Sequence, residues 1–269
     1  MRTLVMLAVA LTPTIGYSQA PVISAAVNAA SFAQDQSLSP GSLVSILGTG
    51  LAASTATAST VPLPDSIAGV SVTFSGITAP LQFVSPGQIN LQVPWSAQPG
   101  MTDIVVTLNG SRSAAFRAQV GSASPGIFTI PSGSRQAVAI NLNPAGSIAA
   151  PQGSIPGVPT YPATVGYPLT IFATGLGLVV PASTDGTASG DQIRATIATP
   201  TVLINGSPAL VTFSGLSPDF VGVNQINIVV PDGAWGPDGG GGQVPIQIEL
   251  SGMRTSDQVT IEVFGKWAN

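Results

Sequence analysis

Aspartates are the residues of this chain whose type and spacing come nearest to a chemical site. Asp185 and Asp191 flank the segment 186–190, and Asp232 and Asp238 flank a second short segment that contains glycine. Two carboxylates held about 5–9 Å apart across a sugar form the active site of a glycosidase. Aspartate beside glycine is also typical of solvated turns, which is the favoured interpretation because nothing else in the sequence supports catalysis.

The same four aspartates are candidate calcium ligands, because Ca²⁺ binds hard oxygen ligands. Residues 232–242 combine two carboxylates with a run of glycines. They lack the dense alternation of Asp and Asn that marks an EF-hand or a glycine-rich calcium repeat. We therefore predict no cofactor, with Ca²⁺ as the alternative at Asp185, Asp191, Asp232 and Asp238.

The residue types that serve most enzymes are missing. Among 269 residues there is no cysteine and no histidine, and Lys266 is the only lysine. This composition excludes disulfides, thiol nucleophiles, Cys or His metal sites and the Ser-His-Asp arrangement. The net charge is −4, and the sequence has no stripe of basic residues that could follow the phosphate backbone of a nucleic acid. We predict a protein that is not an enzyme and does not bind nucleic acid.

The N-terminus has the pattern of a secretory signal. Arg2 is followed by the apolar run 4–11, and small residues stand at Ser18 and Ala20. We predict a signal peptide at 1–20, cleaved after residue 18 or residue 20. The apolar run is too short to cross a bilayer comfortably, so no membrane span is expected after its removal. The predicted location is extracellular or at the cell surface, with the periplasm as an alternative.

The remaining sequence predicts short strands and no helix. Val70, Val72 and Phe74 alternate with polar residues, as in a half-buried strand. Asn109-Gly110 favours a tight hairpin turn. The Pro- and Gly-rich segment 143–167 is predicted to be mostly loop.

One strand motif occurs twice, as Gln88-Ile89-Asn90 and as Gln225-Ile226-Asn227, each followed by apolar residues and a proline. Residues 169–176 likewise match residues 44–51 without a gap. A chain with two such units of about seven strands favours an all-β protein with two tandem immunoglobulin-like β-sandwich domains. A single large sandwich or a β-propeller is the alternative.

The predicted domains are 21–122 and 123–266, and the second contains the loop 143–167. The offset between matching strands drifts from 125 to 142 residues. Insertions therefore fall between strands, where loops tolerate them.

Amides of the repeated motif are candidates for hydrogen bonding. If Ile89 and Ile226 face the core, the side chains on the opposite face are Gln88, Asn90, Gln225 and Asn227. Such amides could bind sugar or tie neighbouring loop backbone. Because an unsatisfied buried amide costs ~1–3 kcal/mol, recurrence in both units favours a structural role.

Two tryptophans are the candidate ligand-binding residues. Trp95 and Trp235 follow the prolines that end the two motifs, one and four residues on. Exposed aromatic rings at equivalent loops would suit contact with a ligand or partner. Packing over the open end of each sandwich is the favoured interpretation, since a lone aromatic residue at a strand end more often packs than binds.

Further motifs resemble known families. Residues 39–48 with Gly50-Leu51 are similar to the opening of IPT/TIG-type immunoglobulin-like domains. A fuller set resembles the uncharacterised Solibacter-type C-terminal domain family of acidobacterial secreted proteins, and it comprises residues 27–32, 86–90, 93–94, 124–128 and 173–177. This resemblance covers about residues 22–263. It implies export and an immunoglobulin-like architecture, and it supplies neither an activity nor catalytic residues.

These patterns predict a secreted, non-catalytic interaction or adhesion module whose partner is a protein or a surface glycan. One alternative is a carbohydrate-binding module that uses Trp95 and Trp235. A less favoured alternative is a glycan-active enzyme that uses the loop carboxylates.

Overall fold

A computed structural model describes residues 20–34, 36–235, 239–256 and 258–265. Every regular element among these residues is a β-strand. No described segment forms a helix that is long and apolar enough to span a bilayer. Apart from Ala20, the predicted signal segment lies outside the described residues, as does Asp238.

The first sandwich contains strands β1 to β10. They are β1 Val22–Asn28, β2 Leu43–Thr49, β3 Ala56–Thr57, β4 Val70–Phe74, β5 Ile77–Thr78, β6 Leu81–Val84, β7 Gln88–Gln92, β8 Gly100–Leu108, β9 Ser111–Arg112 and β10 Phe116–Val120. One sheet has the order β1-β2-β7-β6-β3, and the other has the order β10-β8-β4-β5 with β9 beside β8. Alternate side chains of both sheets meet in one core, as the buried Val70, Val72 and Phe74 illustrate.

The second sandwich contains strands β11 to β22. They are β11 Gly126–Ile127, β12 Ala139–Leu142, β13 Ala145–Ile148, β14 Pro168–Thr174, β15 Val179–Val180, β16 Ala195–Thr196, β17 Thr201–Ile204, β18 Ser207–Leu216, β19 Asn224–Val229, β20 Gly242–Leu250, β21 Met253–Arg254 and β22 Thr260–Val263. The main path is β13-β12-β14-β19-β18-β17-β20-β21. The long strand β18 pairs with β17 at its start and with β19 over the rest, so it belongs to both layers.

The two sandwiches repeat the same strand register. Ile46 of β2 is opposite Ile89 of β7, and Ile171 of β14 is opposite Ile226 of β19. Each sandwich has its own buried apolar cluster. The prediction of an all-β chain with immunoglobulin-like β-sandwiches is confirmed.

Five tight turns among the described residues share one geometry. Each joins a residue with φ between 46° and 52° to a glycine, at Ala68-Gly69, Ser75-Gly76, Asn109-Gly110, Asn205-Gly206 and Ser251-Gly252. Positive φ at both central residues is the requirement of the type I′ turn, whose twist matches that of paired strands. The hairpin predicted at Asn109-Gly110 is confirmed by the pairing of Leu108 with Ser111.

The segment 143–167 contains one short strand within a long stretch of turns and irregular structure. It contains β13, which pairs with β12, and its Ala149, Ala150 and Ala163 are buried. The sequence did not indicate this strand, because β13 is short and contains Gly146 in a left-handed conformation. Pairing with β12 outweighs the weak local preference.

Candidate binding surface

The two sandwiches are joined by a buried amide. The Gln92 side chain is fully buried; its Nε2 donates to the Gly41 carbonyl at 3.2 Å, and its Oε1 accepts from the Gly186 N–H at 2.8 Å. The Asp185 carboxylate accepts a hydrogen bond from the Trp95 backbone N–H at 2.7 Å. The pair Asp185-Gly186 of the second sandwich is therefore anchored on the end of the first.

Strand alternation places the Gln92 side chain on the same face of β7 as Gln88 and Asn90, but the second sandwich covers this end of the strand. A signal was present in the repeat, because Gln92 stands where the second motif has Val229. It is the one polar residue in Gln88–Pro94 without a polar counterpart in Gln225–Pro231.

A buried arginine holds the loop that carries Asp185-Gly186. Arg194 is 6% exposed and donates to both carboxylate oxygens of Asp191, at 2.6 and 3.0 Å. It also donates to the Ser189 hydroxyl at 3.1 Å and to the Ala182 carbonyl at 3.3 Å. The hydrogen bond from Arg194 lowers the pKa of Asp191 below its ordinary value, and the same bond raises the pKa of Arg194.

The three candidate aspartates that the structure describes do not come together. Asp185 accepts from Trp95, Asp191 is paired with Arg194, and Asp232 is exposed. Asp238 lies outside the described residues. Within the described ranges, no three acidic side chains group closely enough to hold a metal ion. The calcium hypothesis stays a prediction without support from this geometry.

The two tryptophans lie at opposite ends of the second sandwich. Trp95 is half-buried over Gly41 and, with Leu178 and Leu250, lines a cleft of about 250 Å³ between the sandwiches. The Trp235 carbonyl accepts from Asn205 Nδ2 at 2.5 Å, beside the turn between β17 and β18. The β17–β20 ladder separates the two positions. One small ligand therefore cannot contact both indoles.

An exposed apolar surface lies next to the Trp95 cleft. Strands β15 and β16 form a two-stranded ribbon, and its outward side chains are all apolar: Leu178 (49% exposed), Val180 (58%), Ile193 (78%) and Ile197 (66%), with Ala195 between them. The alternate residues Val179, Arg194 and Thr196 are buried. We call this surface the apolar ribbon. Leu178 and Ile197 line the Trp95 cleft at one of its ends.

The repeated amides form the same hydrogen-bonded group in both sandwiches. Gln88 Nε2 donates to Asn90 Oδ1 at 2.7 Å, and Gln225 Nε2 donates to Asn227 Oδ1 at 3.0 Å. A hydroxyl on the neighbouring strand donates to the same oxygen, from Ser45 at 2.9 Å in one sandwich and from Thr170 at 3.0 Å in the other. Each group therefore ties two adjacent strands together.

The second amide group lines a cavity. Gln225 and Asn227 lie beside Phe213 and Ile193 in a depression of about 420 Å³. Ile193 also belongs to the apolar ribbon. The ribbon is thus bordered by the Trp95 cleft at one end and by this amide cavity at the other.

Comparison with known proteins identifies one domain type. Residues 34–146 match the IPT/TIG domain family. The matched segment is less than half of the chain; it begins within the first sandwich and extends into β13. No curated protein sequence matches the chain.

The similar solved structures belong to larger proteins whose sequence identity to this chain is low. The full extracellular region of plexin A4 is 9% identical, with 93% of this chain and 19% of the plexin covered and a TM-score of 0.30. SGBP-B from the mixed-linkage glucan utilization locus of Bacteroides ovatus, in complex with a mixed-linkage heptasaccharide, is 15% identical, with 86% and 42% covered and a TM-score of 0.33. The γ-CGTase of alkalophilic Bacillus clarkii is 11% identical, with 87% and 24% covered and a TM-score of 0.29.

The chain thus spans between about a fifth and two fifths of these relatives. At such identities and TM-scores, the likenesses carry no argument about ligand or activity.

Proposed function

We propose that this protein is a secreted, non-catalytic immunoglobulin-like module that acts by surface contact with a protein or a glycan. The observation that carries the proposal is the apolar ribbon. Four large apolar side chains between 49% and 78% exposed share one face of β15 and β16. Contiguous exposed apolar surface on a folded domain typically marks an interaction site.

The engagement of two candidate carboxylates within the protein supports contact rather than turnover. Asp185 and Asp191 are each engaged by a protein donor, and Asp191 is held ionised by Arg194. A general acid needs the opposite environment, one that raises the carboxyl pKa towards neutrality. The proposal extends to export through the segment 1–20 and to membership of the Solibacter-type domain family.

A carbohydrate-binding module is the alternative, and one observation favours it. Trp95 lines the cleft between the sandwiches, where its ring can contact a ligand. Trp235 would have to serve a separate site, because it lies beyond the β17–β20 ladder.

The ribbon can be tested with matched charge variants. Val180→Asp and Ile197→Asp place a charge on the ribbon, whereas Val61→Asp and Met101→Asp place one at exposed apolar positions of the first sandwich. The probes are surfaces coated with a panel of insoluble polysaccharides and secreted proteins. We expect the ribbon variants to lose at least about tenfold in affinity and the controls to bind like the wild type.

Two outcomes would overturn the proposal. One is binding that the ribbon variants leave intact. The other is turnover on a panel of polysaccharides, esters and peptides that disappears in Asp185→Ala or Asp232→Ala.

A further inference from the structure

We infer that the cavity beside Phe213 binds one ring of a neutral carbohydrate through the amides of Gln225 and Asn227. The inference rests on the proposed function, since it names the ligand class of one part of the same surface. The cavity of about 420 Å³ falls within the ~300–1,000 Å³ typical of small-molecule sites.

The amide pair has a defined orientation and spare hydrogen-bonding capacity. Asn227 Oδ1 accepts from both Gln225 Nε2 and Thr170 Oγ1, each at 3.0 Å. Because both lone pairs of that oxygen are used, Asn227 Nδ2 and Gln225 Oε1 are the atoms left for a ligand. Neither atom hydrogen-bonds to any residue in the described part of the chain.

This arrangement complements vicinal hydroxyls. A hydroxyl both donates and accepts, so adjacent hydroxyls of a sugar can accept from Asn227 Nδ2 and donate to Gln225 Oε1 at once. The Gln225–Asn227 bond holds the two groups in place before any ligand arrives. Preorganised polar groups lose less entropy on binding than mobile ones.

An aromatic ring adjoins the amides. Phe213 of β18 is opposite Asn227 of β19, and Gly215 is opposite Gln225. The Phe213 ring reaches over Gly215, because a Cβ at Gly215 would fall within 2.5 Å of the ring Cζ. A ring that lines the same cavity can contact the apolar C–H side of a sugar, while the amides meet the hydroxyls.

The cavity selects for an uncharged ligand. The side chains that line it are apolar or neutral polar. The nearby Asp191 is committed to Arg194. A uronate or phosphate would therefore lose its hydration without gaining an opposite charge.

The first sandwich supplies an internal control. Its amides Gln88 and Asn90 make the same bond to each other. Phe83 of β6 is opposite Asn90, as Phe213 is opposite Asn227, and the second sandwich differs in placing Gln192 and Ile193 beside its amides. Gln88 Nε2 also lies 3.4 Å from the Ser45 hydroxyl, so this amide is more fully used within the protein.

The test measures binding of neutral oligosaccharides from glucan, xylan, mannan and galactan by titration calorimetry, with uronate oligosaccharides alongside. Asn227→Asp keeps the accepting oxygen and removes the donor, so the fold is retained while the sugar contact is lost. We expect at least one neutral series to bind, and Asn227→Asp, Gln225→Ala and Phe213→Leu each to weaken it at least about tenfold. Asn90→Asp and Gln88→Ala should leave the affinity within about twofold.

Unfolding temperatures of all variants separate loss of contact from loss of fold. The inference is overturned if no neutral series binds, if only uronates bind, or if Asn90→Asp weakens binding as much as Asn227→Asp does. Failure of the ribbon variants to alter surface binding would instead overturn the proposed function. The two results are distinguishable, because Val180 and Ile197 do not line the amide cavity.

Discussion

The backbone has the same geometry at one end of each sandwich, but the surroundings of these two ends differ. Gly41 donates to the Val93 carbonyl and Gly166 donates to the Val230 carbonyl, both at 2.9 Å, and both glycines have positive φ. The Trp95 ring packs on Gly41, whereas the space beside Gly166 is open. The same backbone geometry therefore occurs at a buried junction in the first sandwich and at an open end in the second.

The amide groups on the outward faces of the two sandwiches can be compared in the same way. Both bridge neighbouring strands through an asparagine oxygen. Both also have a phenylalanine opposite the asparagine, Phe83 in the first sandwich and Phe213 in the second. Ile193 borders the second group, so two similar groups differ in part of their surroundings.

The largest effect that we predict concerns the two equivalent glycines. Gly166→Ala should cost about 1–2 kcal/mol, the strain of a left-handed alanine. Gly41→Ala should cost that amount plus about 1–3 kcal/mol, because the new methyl group collides with Trp95. Denaturant unfolding of both variants measures the difference. Equal destabilisation would show that the Trp95 contact does not stabilise the junction.

Exchange of Gln92 and Val229 should have a smaller effect. Gln92→Val leaves the buried Gly186 N–H without its acceptor, and we expect a loss of about 2 kcal/mol. Val229→Gln places an amide at a half-buried position on the open end and should be nearly neutral. Limited proteolysis near residue 122 reports on the junction. Unchanged protection in Gln92→Val would contradict a role for this amide in holding the sandwiches together.

The smallest effect concerns acid. The hydrogen bond from Arg194 lowers the pKa of Asp191 in the folded protein. The stabilisation from this pair is therefore present above about pH 4, the ordinary carboxyl range, and is lost as the pH falls through the lowered value. Because the Asp191 side chain is 61% exposed, the change should stay local.

Backbone NMR signals can follow this acid transition. Signals of Ser189 and Ile193 should titrate below pH 4 in the wild type and not in Asp191→Asn. Signals of Ala56 and Thr57 in the first sandwich should be unaffected, since no titratable residue lies between Ala52 and Pro64. A transition that persists in Asp191→Asn would assign the effect to another group.

Much of the fold could be predicted from local pattern. Alternation at Val70, Val72 and Phe74 and the turn at Asn109-Gly110 have physical causes that act over a few residues, and the structure contains both. The strand β13 was missed because its stability comes from pairing with β12, which is not a local property.

The candidate site was predicted less well. Trp95 was identified, but its grouping with Trp235 depended on spacing after a proline, and the two lie at opposite ends of a sandwich. The apolar ribbon was not recognised, because in sequence its outward residues alternate with Val179, Arg194 and Thr196 and resemble an ordinary strand. An arginine in a strand is normally assigned to the solvent-facing side, but Arg194 is buried. Its contacts with Asp191 and Ser189 explain this burial.

The sequence by itself determined the all-β class, the repeat and the hairpin turns, because strand alternation and glycine geometry are local properties. The tertiary structure decided which end of each sandwich is covered. It also decided that Gln92 is a junction residue and that one of two similar amide groups borders an exposed isoleucine. These properties arise from contacts between residues far apart in the sequence, such as Gln92 with Gly186, which no local pattern encodes.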